Sequence, residues 1–273
     1  MSKLYVVGTP IGNLSDMSPR AVDTLNEVDF IAAEDTRVTL KLLNHFNIKK
    51  PMVSYYEHNK RERGEIICGR ILSGETCAIV TDAGMPCISD PGEDLIKLCE
   101  QKSIPTVVVP GPSAVVSALA VSGLSTGRFC FEGFLSVNKK SRKEHLESLK
   151  NESRTMIFYE APHKLSTTLK DLYDFFGERK LSIVREITKL HEEVIRTTTK
   201  HAAEELADSG IKGEIVLVLE GKQPDEAEQF TLAQAVELAK KLVSDGSRVS
   251  DAAKEASLVS GFKKNEIYKE LIN

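Results

Sequence analysis

Thr81 to Gly92 reads TDAGMPCISDPG. The four residues before it, Cys77-Ala78-Ile79-Val80, form a short apolar run bounded like a buried strand, and Glu93 to Lys102 places Leu95, Ile96 and Leu98 at helical spacing. The segment is therefore a strand, a long loop and a helix. Its glycines, prolines and aspartates fall where an open α/β sheet receives ligands, outside the carboxyl end of a strand. Small residues there let a ligand approach the main chain, although an ordinary βα connection carries similar punctuation.

Two further segments have the same form. Leu4-Tyr5-Val6-Val7 runs into Gly8-Thr9-Pro10-Ile11-Gly12-Asn13, and Thr106-Val107-Val108-Val109 runs into Pro110-Gly111-Pro112-Ser113. Three apolar strands ending in glycine and proline point to one crevice.

The composition sets the frame. With 273 residues, 41% of them hydrophobic and 28% charged, the chain is long enough for two modest domains with real cores. A net charge of -4 gives no global basic field, so any nucleic-acid contact must come from local patches. The five cysteines, Cys68, Cys77, Cys87, Cys99 and Cys130, include no CxxC pair, which disfavours a disulfide framework and a zinc ribbon. No secretory signal and no membrane-length apolar run is evident, so a cytoplasmic protein without membrane contact is expected.

Outward from the three strands, Ser18-Pro19 opens a helix, Phe30-Ile31-Ala32-Ala33 is a strand delivering Glu34-Asp35-Thr36-Arg37, and Pro51 to Tyr56 is another, ending in Glu57-His58-Asn59. Strands alternating with helices predict a parallel sheet over residues 1–122. The helix after Ser113, Ala114-Val115-Val116-Ser117-Ala118-Leu119-Ala120-Val121, is small or aliphatic throughout and is expected to be buried at a domain junction. Residues 123–222 form a second α/β domain, with a flexible basic loop at Asn138 to Lys143. Gly221 to Gln229 reads as a linker, and residues 231–273 as three short helices.

Several chemistries fall away. Gly8-Thr9-Pro10-Ile11-Gly12 is neither GxGxxG nor a Walker A loop. His191-Glu192-Glu193 is not HExxH and the six histidines are scattered, so no metal site is expected. No GxSxG elbow is present.

The blocks VGTPIGNLSD, AAEDTR, TDAGMPCISDPG, VPGPSA, FYEAPHKL and KGEIVLVLEG resemble, in order and spacing, those of the tetrapyrrole methylase superfamily, over nearly the whole chain. AEDTR, SYYEHN, REITKLHEE and the helical tail resemble the branch that methylates the ribose 2'-hydroxyl of a cytidine in 16S ribosomal RNA of the small ribosomal subunit. The resemblance implies a two-domain α/β tetrapyrrole methylase-like fold with a parallel-sheet N-terminal domain, a mixed-sheet C-terminal domain and a small helical C-terminal appendage. It also implies a homodimer and S-adenosyl-L-methionine bound between the domains. By matching blocks, the implied cofactor contacts are Pro10, Asp82, Ala83, Gly84, Ser89, Ser113, Ala114, Tyr159, Glu160 and Glu214.

A ribose hydroxyl is a weak acid, so its oxygen must be aligned with the methyl group and its proton accepted. Glu34, Asp35, Arg37 and His58 are the candidate catalytic residues, Arg37 being suited to holding a phosphate. Arg185, Glu186, Lys189 and His191 form a second cluster that an ion-pair network explains equally well. Lys139, Lys140 and Arg142 are the RNA-binding candidates, against the ordinary reading of a solvated charged face. A same-fold enzyme acting on a tetrapyrrole or a modified protein side chain, and a non-catalytic RNA-binding assembly protein, remain the alternatives.

Overall fold

The structure is a computed structural model that describes residues 2–223 and 231–272. The chain divides into two compact units, Met1–Gly221 and Lys222–Asn273. The first contains two five-stranded sheets.

In the first sheet β1 (Leu4–Val7), β2 (Phe30–Ala33), β3 (Met52–Ser54), β4 (Cys77–Val80) and β5 (Thr106–Val109) lie in the order β3-β2-β4-β1-β5. Every pairing is parallel. Helices α1 (Pro19–Glu27), α2 (Thr36–His45), α3 (Lys60–Leu72) and α4 (Glu93–Gln101) join successive strands, and α5 (Ala114–Ser122) follows β5. The chain leaving β1 passes β4 to reach β2, whereas the chain leaving β4 passes β1 to reach β5. Right-handed crossovers running in opposite directions put their helices on opposite faces. Accordingly Leu4, Phe30 and Ile79 pack with Ile67 of α3 and Leu95 of α4, while Val7, Ile31 and Val80 pack with Leu25 of α1 and Leu43 of α2. Coverage of both faces explains why β2 and β4 are apolar and buried at every position. The reversal leaves a crevice outside the carboxyl ends of β1 and β4.

The second sheet is mixed. Strands β6 (Phe129–Phe134), β7 (Thr155–Glu160), β8 (Lys180–Arg185), β9 (Glu193–Thr198) and β10 (Ile215–Leu219) lie in the order β6-β7-β10-β8-β9. Only β6 and β7 pair in parallel. Three helical segments, α6 (Lys139–Ser148), α7 (Leu165–Phe176) and the short α8 (Thr199–His201), which continues as a π-helical turn, complete this half. One face of the sheet, through Met156, Phe158 and Leu217, packs on Leu146 of α6 and Leu169 and Leu172 of α7. The other, through Ile157, Val184, Val216 and Val218, receives Val115, Ala118 and Leu119 of α5. Helix α5 follows the first sheet in sequence but packs on the second. Its last carbonyls are satisfied from there: Ser182 Oγ donates to Ser122 O at 2.7 Å and Arg196 donates to Val121 O at 2.6 Å.

Two expectations need correction. Helix α5 is not buried all round, because only its sheet-facing stripe is covered and Val116 and Val121 are exposed. The basic stretch expected as a flexible loop is the start of α6, with Asn138 Oδ1 accepting from the main-chain N–H groups of Lys140 and Ser141. An asparagine cap followed by helix-forming lysine, arginine and glutamate residues outweighs the polarity that suggested a loop.

The second unit comprises α9 (Leu232–Ser244), α10 (Val249–Ser260) and α11 (Lys264–Ile272), close to the expected spans. Thr231 and Gln234 form a reciprocal capping box at the start of α9. Ala235, Ala239, Ala253, Ala256 and Ile267 form the core. Most of the Gly221 to Gln229 linker expectation lies outside the described residues. Among the described residues no helix is long and apolar enough to cross a membrane.

Candidate functional site

The loops after β1 and β4 are joined directly. Thr9 N donates to Gly84 O at 2.9 Å, Gly84 N donates to Thr9 O at 3.1 Å, and Thr9 Oγ1 donates to Thr81 O at 3.2 Å. The loops after β1 and β5 touch at two glycines: a Cβ on Gly8 would lie 2.7 Å from Gly111 Cα. Only glycine allows that approach. Gly84 has φ +86°, and a Cβ there would meet Ile11 Cγ2 at 3.3 Å. Farther along the same loop Cys87 and Ser89 also have positive φ, 73° and 63°. Such left-handed backbone on non-glycine residues is held only where its surroundings over-determine it.

Around this junction lies a cavity of about 500 Å³ whose wall comes from both sheets. The first contributes Ile11, Glu34, the loop from Asp82 to Met85, Ile88 to Asp90, and Ser113 with Ala114 at the start of α5; the second contributes Phe134, Tyr159 to Pro162, Ile187 and Glu214 to Val216. Of the ten residues carried over as cofactor contacts, all but Pro10 line it. Pro10 is buried beside the Thr9–Gly84 bridge, and Ile11 takes the place on the wall.

The side chains divide by what they already hold. Glu34 Oε2 accepts from Thr81 Oγ1 at 2.5 Å and from Asp82 N at 3.4 Å. Asp82 Oδ1 accepts from Asp35 N at 3.2 Å, and burial followed by the nearby Glu34 raises its carboxyl above the usual range. Burial also pushes Asp90 up to about 6, with Glu34 adding to the effect, Asp82 less so, and the Thr81 hydroxyl opposing it. Tyr159 packs edge-on to Phe131 and Phe134 at centroid distances of 4.9 and 5.4 Å. Burial, then Asp90, pushes its phenol up to about 12.

Asp35 and Arg37 lie off the cavity wall. Asp35 caps α2 through Arg37 N and chelates the Arg37 guanidinium down to 2.6 Å, which holds its carboxyl at about 2. His58 is also outside the cavity, in an adjoining groove with Tyr56, Glu57 and Pro91. Of the four catalytic candidates only Glu34 reaches both hollows.

Glu160 is a buried anchor. Its Oε1 accepts from Ala161 N at 2.8 Å and its Oε2 from the Thr168 hydroxyl. Thr168 in turn accepts from Arg142 at 2.8 Å, and Arg142 is paired with Asp171 at 2.6 Å. The Arg142 side chain is only 12% exposed. It is thus turned inward, not displayed for phosphate, and the exposed cations of this stretch are Lys139, Lys140 and Lys143. The Arg185–His191 cluster forms an ion-pair network at the cavity rim: Lys189 bridges Glu186 at 3.0 Å and Glu214 at 3.3 Å, and Arg185 pairs with Glu193 at 3.1 Å.

The sequence reading passed over Asp90, although it lies within the opening stretch; its cluster with Glu34 and Asp82 exists only after β2 and β4 are paired. Phe134 and Ile187 carried no signal beyond their position at strand ends.

Residues 3–203 match the model of the tetrapyrrole (corrin/porphyrin) methylases. The chain is 44% identical over 269 residues to a Synechocystis sp. protein named ribosomal RNA small subunit methyltransferase I, covering 98% of this chain and 96% of the relative. It is 48% identical over 223 residues to a Thermotoga maritima protein of the same name, covering 82% of this chain and 100% of the relative. In fold it is similar to the Thermus thermophilus uroporphyrin-III C-methyltransferase in complex with S-adenosylhomocysteine, with a TM-score of 0.57, 16% identity, and coverage of 80% of this chain and 97% of that one.

Proposed function

Because this chain belongs to the tetrapyrrole (corrin/porphyrin) methylase family, we propose that it transfers a methyl group from S-adenosylmethionine to the ribose 2'-hydroxyl of a cytidine in 16S ribosomal RNA, within the small ribosomal subunit. The acceptor class rests on the small-subunit methyltransferase name that its relatives carry. The observation that carries the cofactor is the cavity itself, which draws nearly all the carried-over contacts into one wall. Its volume falls within the roughly 300–1,000 Å³ of small-molecule sites.

The residues fit the group. Glu34 and Asp82 offer carboxylates to a cationic ligand, and Tyr159 with Phe134 offers an aromatic surface. Ser113 caps α5 without a side-chain hydrogen bond to its first turn, so main-chain N–H groups there are available to a ligand carboxylate. When bound, S-adenosylmethionine supplies an electrophilic methyl group. The protein aligns the acceptor oxygen, excludes water through Ile11, Ile88, Ile187 and Val216, and receives the hydroxyl proton.

The proposal extends to domains at 1–122, 123–222 and 231–273, a cytoplasmic setting, and a homodimer for which the exposed Val108, Val116 and Val121 supply apolar surface. RNA phosphates meet Lys139 and Lys140 on the exposed start of α6.

The test is incubation with methyl-labelled S-adenosylmethionine and purified small subunits, followed by digestion to nucleosides. Label on the 2'-oxygen of a cytidine is expected. Label confined to a base, or appearing only when a porphyrin precursor is supplied, would overturn the acceptor assignment.

A further inference from the structure

The cavity does not close on its β2 side. Glu34, Ser89 and Asp90 line it and also line a second hollow of about 580 Å³, whose far wall carries Tyr56, His58 and Pro91. The second hollow is the more open, and Tyr56 is 42% exposed, with the His58 ring edge-on to its own at 6.2 Å. Two hollows sharing one polar partition have the form required for transfer between two ligands: one on each side, with the reacting atoms at the partition. An exposed aromatic ring beside a polar groove suits a nucleobase that has left its stack.

The carboxylates around the partition are not equivalent. Asp35 holds Arg37 at 2.6 Å, Glu57 holds Lys60 at 2.8 Å, and Glu93 holds Lys97 at 2.5 Å. Glu34 takes the Thr81 hydroxyl at 2.5 Å and Asp82 takes a main-chain N–H. Among the described residues Asp90 shares only that same Thr81 hydroxyl, which has a single proton to give, and so keeps lone pairs for an incoming donor.

Resting on the functional reading above, we infer that the Tyr56 groove seats the acceptor nucleoside and that Asp90, on the shared partition, accepts the proton of its ribose hydroxyl. As the oxygen–methyl bond forms, the methyl–sulfur bond breaks with its electron pair left on sulfur. The proton passes to the Asp90 carboxylate and from there to water. The groups facing Asp90 are Glu34 from the end of β2, Asp82 and the Thr81 hydroxyl from its own loop, and Tyr159 from β7; Cys87, His58 and Glu93 line the groove beside it. Burial, and after it the neighbouring Glu34 carboxylate, strengthen Asp90 as a base while leaving it ionised at neutral pH.

The experiment compares the parent protein with Asp90→Asn, Asp90→Glu and Tyr56→Ala. It measures kcat and KM on small subunits across a pH series spanning about 6, with S-adenosylhomocysteine binding by calorimetry alongside. Asp90→Asn is expected to lower kcat by roughly 100-fold or more, with KM and product binding unchanged, and to lose the parent's rise in rate through pH of about 6. Asp90→Glu restores part of the rate. Tyr56→Ala is expected to raise KM roughly tenfold at unchanged product affinity. An Asp90→Asn protein that keeps the parent's rate and pH profile, or loses product affinity in step with its rate, would overturn the inference. A parent that leaves ribose unlabelled overturns the functional reading itself, whereas a parent and an Asp90→Asn variant that label ribose equally overturn only the role of Asp90.

Discussion

Thr9 and Gly84, 75 positions apart in sequence, exchange both main-chain hydrogen bonds, at 2.9 and 3.1 Å. This one bridge joins the loop of β1 to the loop of β4 across the reversal in strand order, and the cavity floor is built on it. Replacing Gly84 by valine forces a β-branched residue to φ +86° and sets its Cβ against Ile11. The backbone cost is roughly 1–2 kcal/mol or more. S-adenosylhomocysteine affinity is expected to fall at least tenfold, read by calorimetry, while circular dichroism shows the fold retained.

Gly8 and Gly111 test the floor from the other side. Alanine at Gly8 would place a Cβ 2.7 Å from Gly111 Cα and from Met85 Sδ. The backbone of the β5 loop has to shift, at a cost of roughly 1–3 kcal/mol. A thermal melt should show a midpoint lower by several degrees, accompanied by weaker cofactor binding because Ser113 lies two residues beyond Gly111.

Arg142 and its lysine neighbours separate structural from surface charge. Arg142→Ala leaves Asp171 and Thr168 without their partner and loosens Glu160 behind them. Stability is expected to drop by roughly 1–3 kcal/mol in denaturant titration. Lys139→Ala with Lys140→Ala should leave stability unchanged, weaken small-subunit binding, and reduce the slope of log affinity against log salt by about 2. An unchanged slope would remove those lysines from the interface.

Asp90 makes stability depend on pH in a defined direction. Its folded pKa, about 6, is raised above the ordinary 3.8, so between those values the folded state holds a proton that the unfolded chain has lost. Stability contributed by this group is therefore full below about 3.8, falls as pH rises to about 6, and is absent above. Asp90→Asn removes the dependence. Its unfolding free energy is expected to exceed the parent's above neutrality, by on the order of 1 kcal/mol after allowance for solvent screening of a partly exposed group, and to match it in acid.

Much of the fold was legible because it rests on local patterns. Apolar runs such as Cys77 to Val80 and Phe30 to Ala33 name buried parallel strands, and Ser18-Pro19 names a helix start. The loops ending β1, β4 and β5 marked the crevice, and the family blocks supplied Tyr159 and Glu214 from the second sheet, which no periodicity connects to it. What stayed hidden depends on contacts distant in sequence. Arg142 reads as one more surface cation until Asp171 and Thr168 are folded against it. Asp90 reads as a turn residue until Glu34 is brought beside it by the β2–β4 pairing. The exposed side of α5 could not be read at all, since an all-aliphatic helix has no stripe to orient it.

The most direct measurement is a crystal structure with S-adenosylhomocysteine bound. The product is expected in the cavity between the two sheets, in contact with the Gly84 loop, the start of α5 at Ser113, and Tyr159. Density for the product on any other surface, with this cavity empty, would contradict the account.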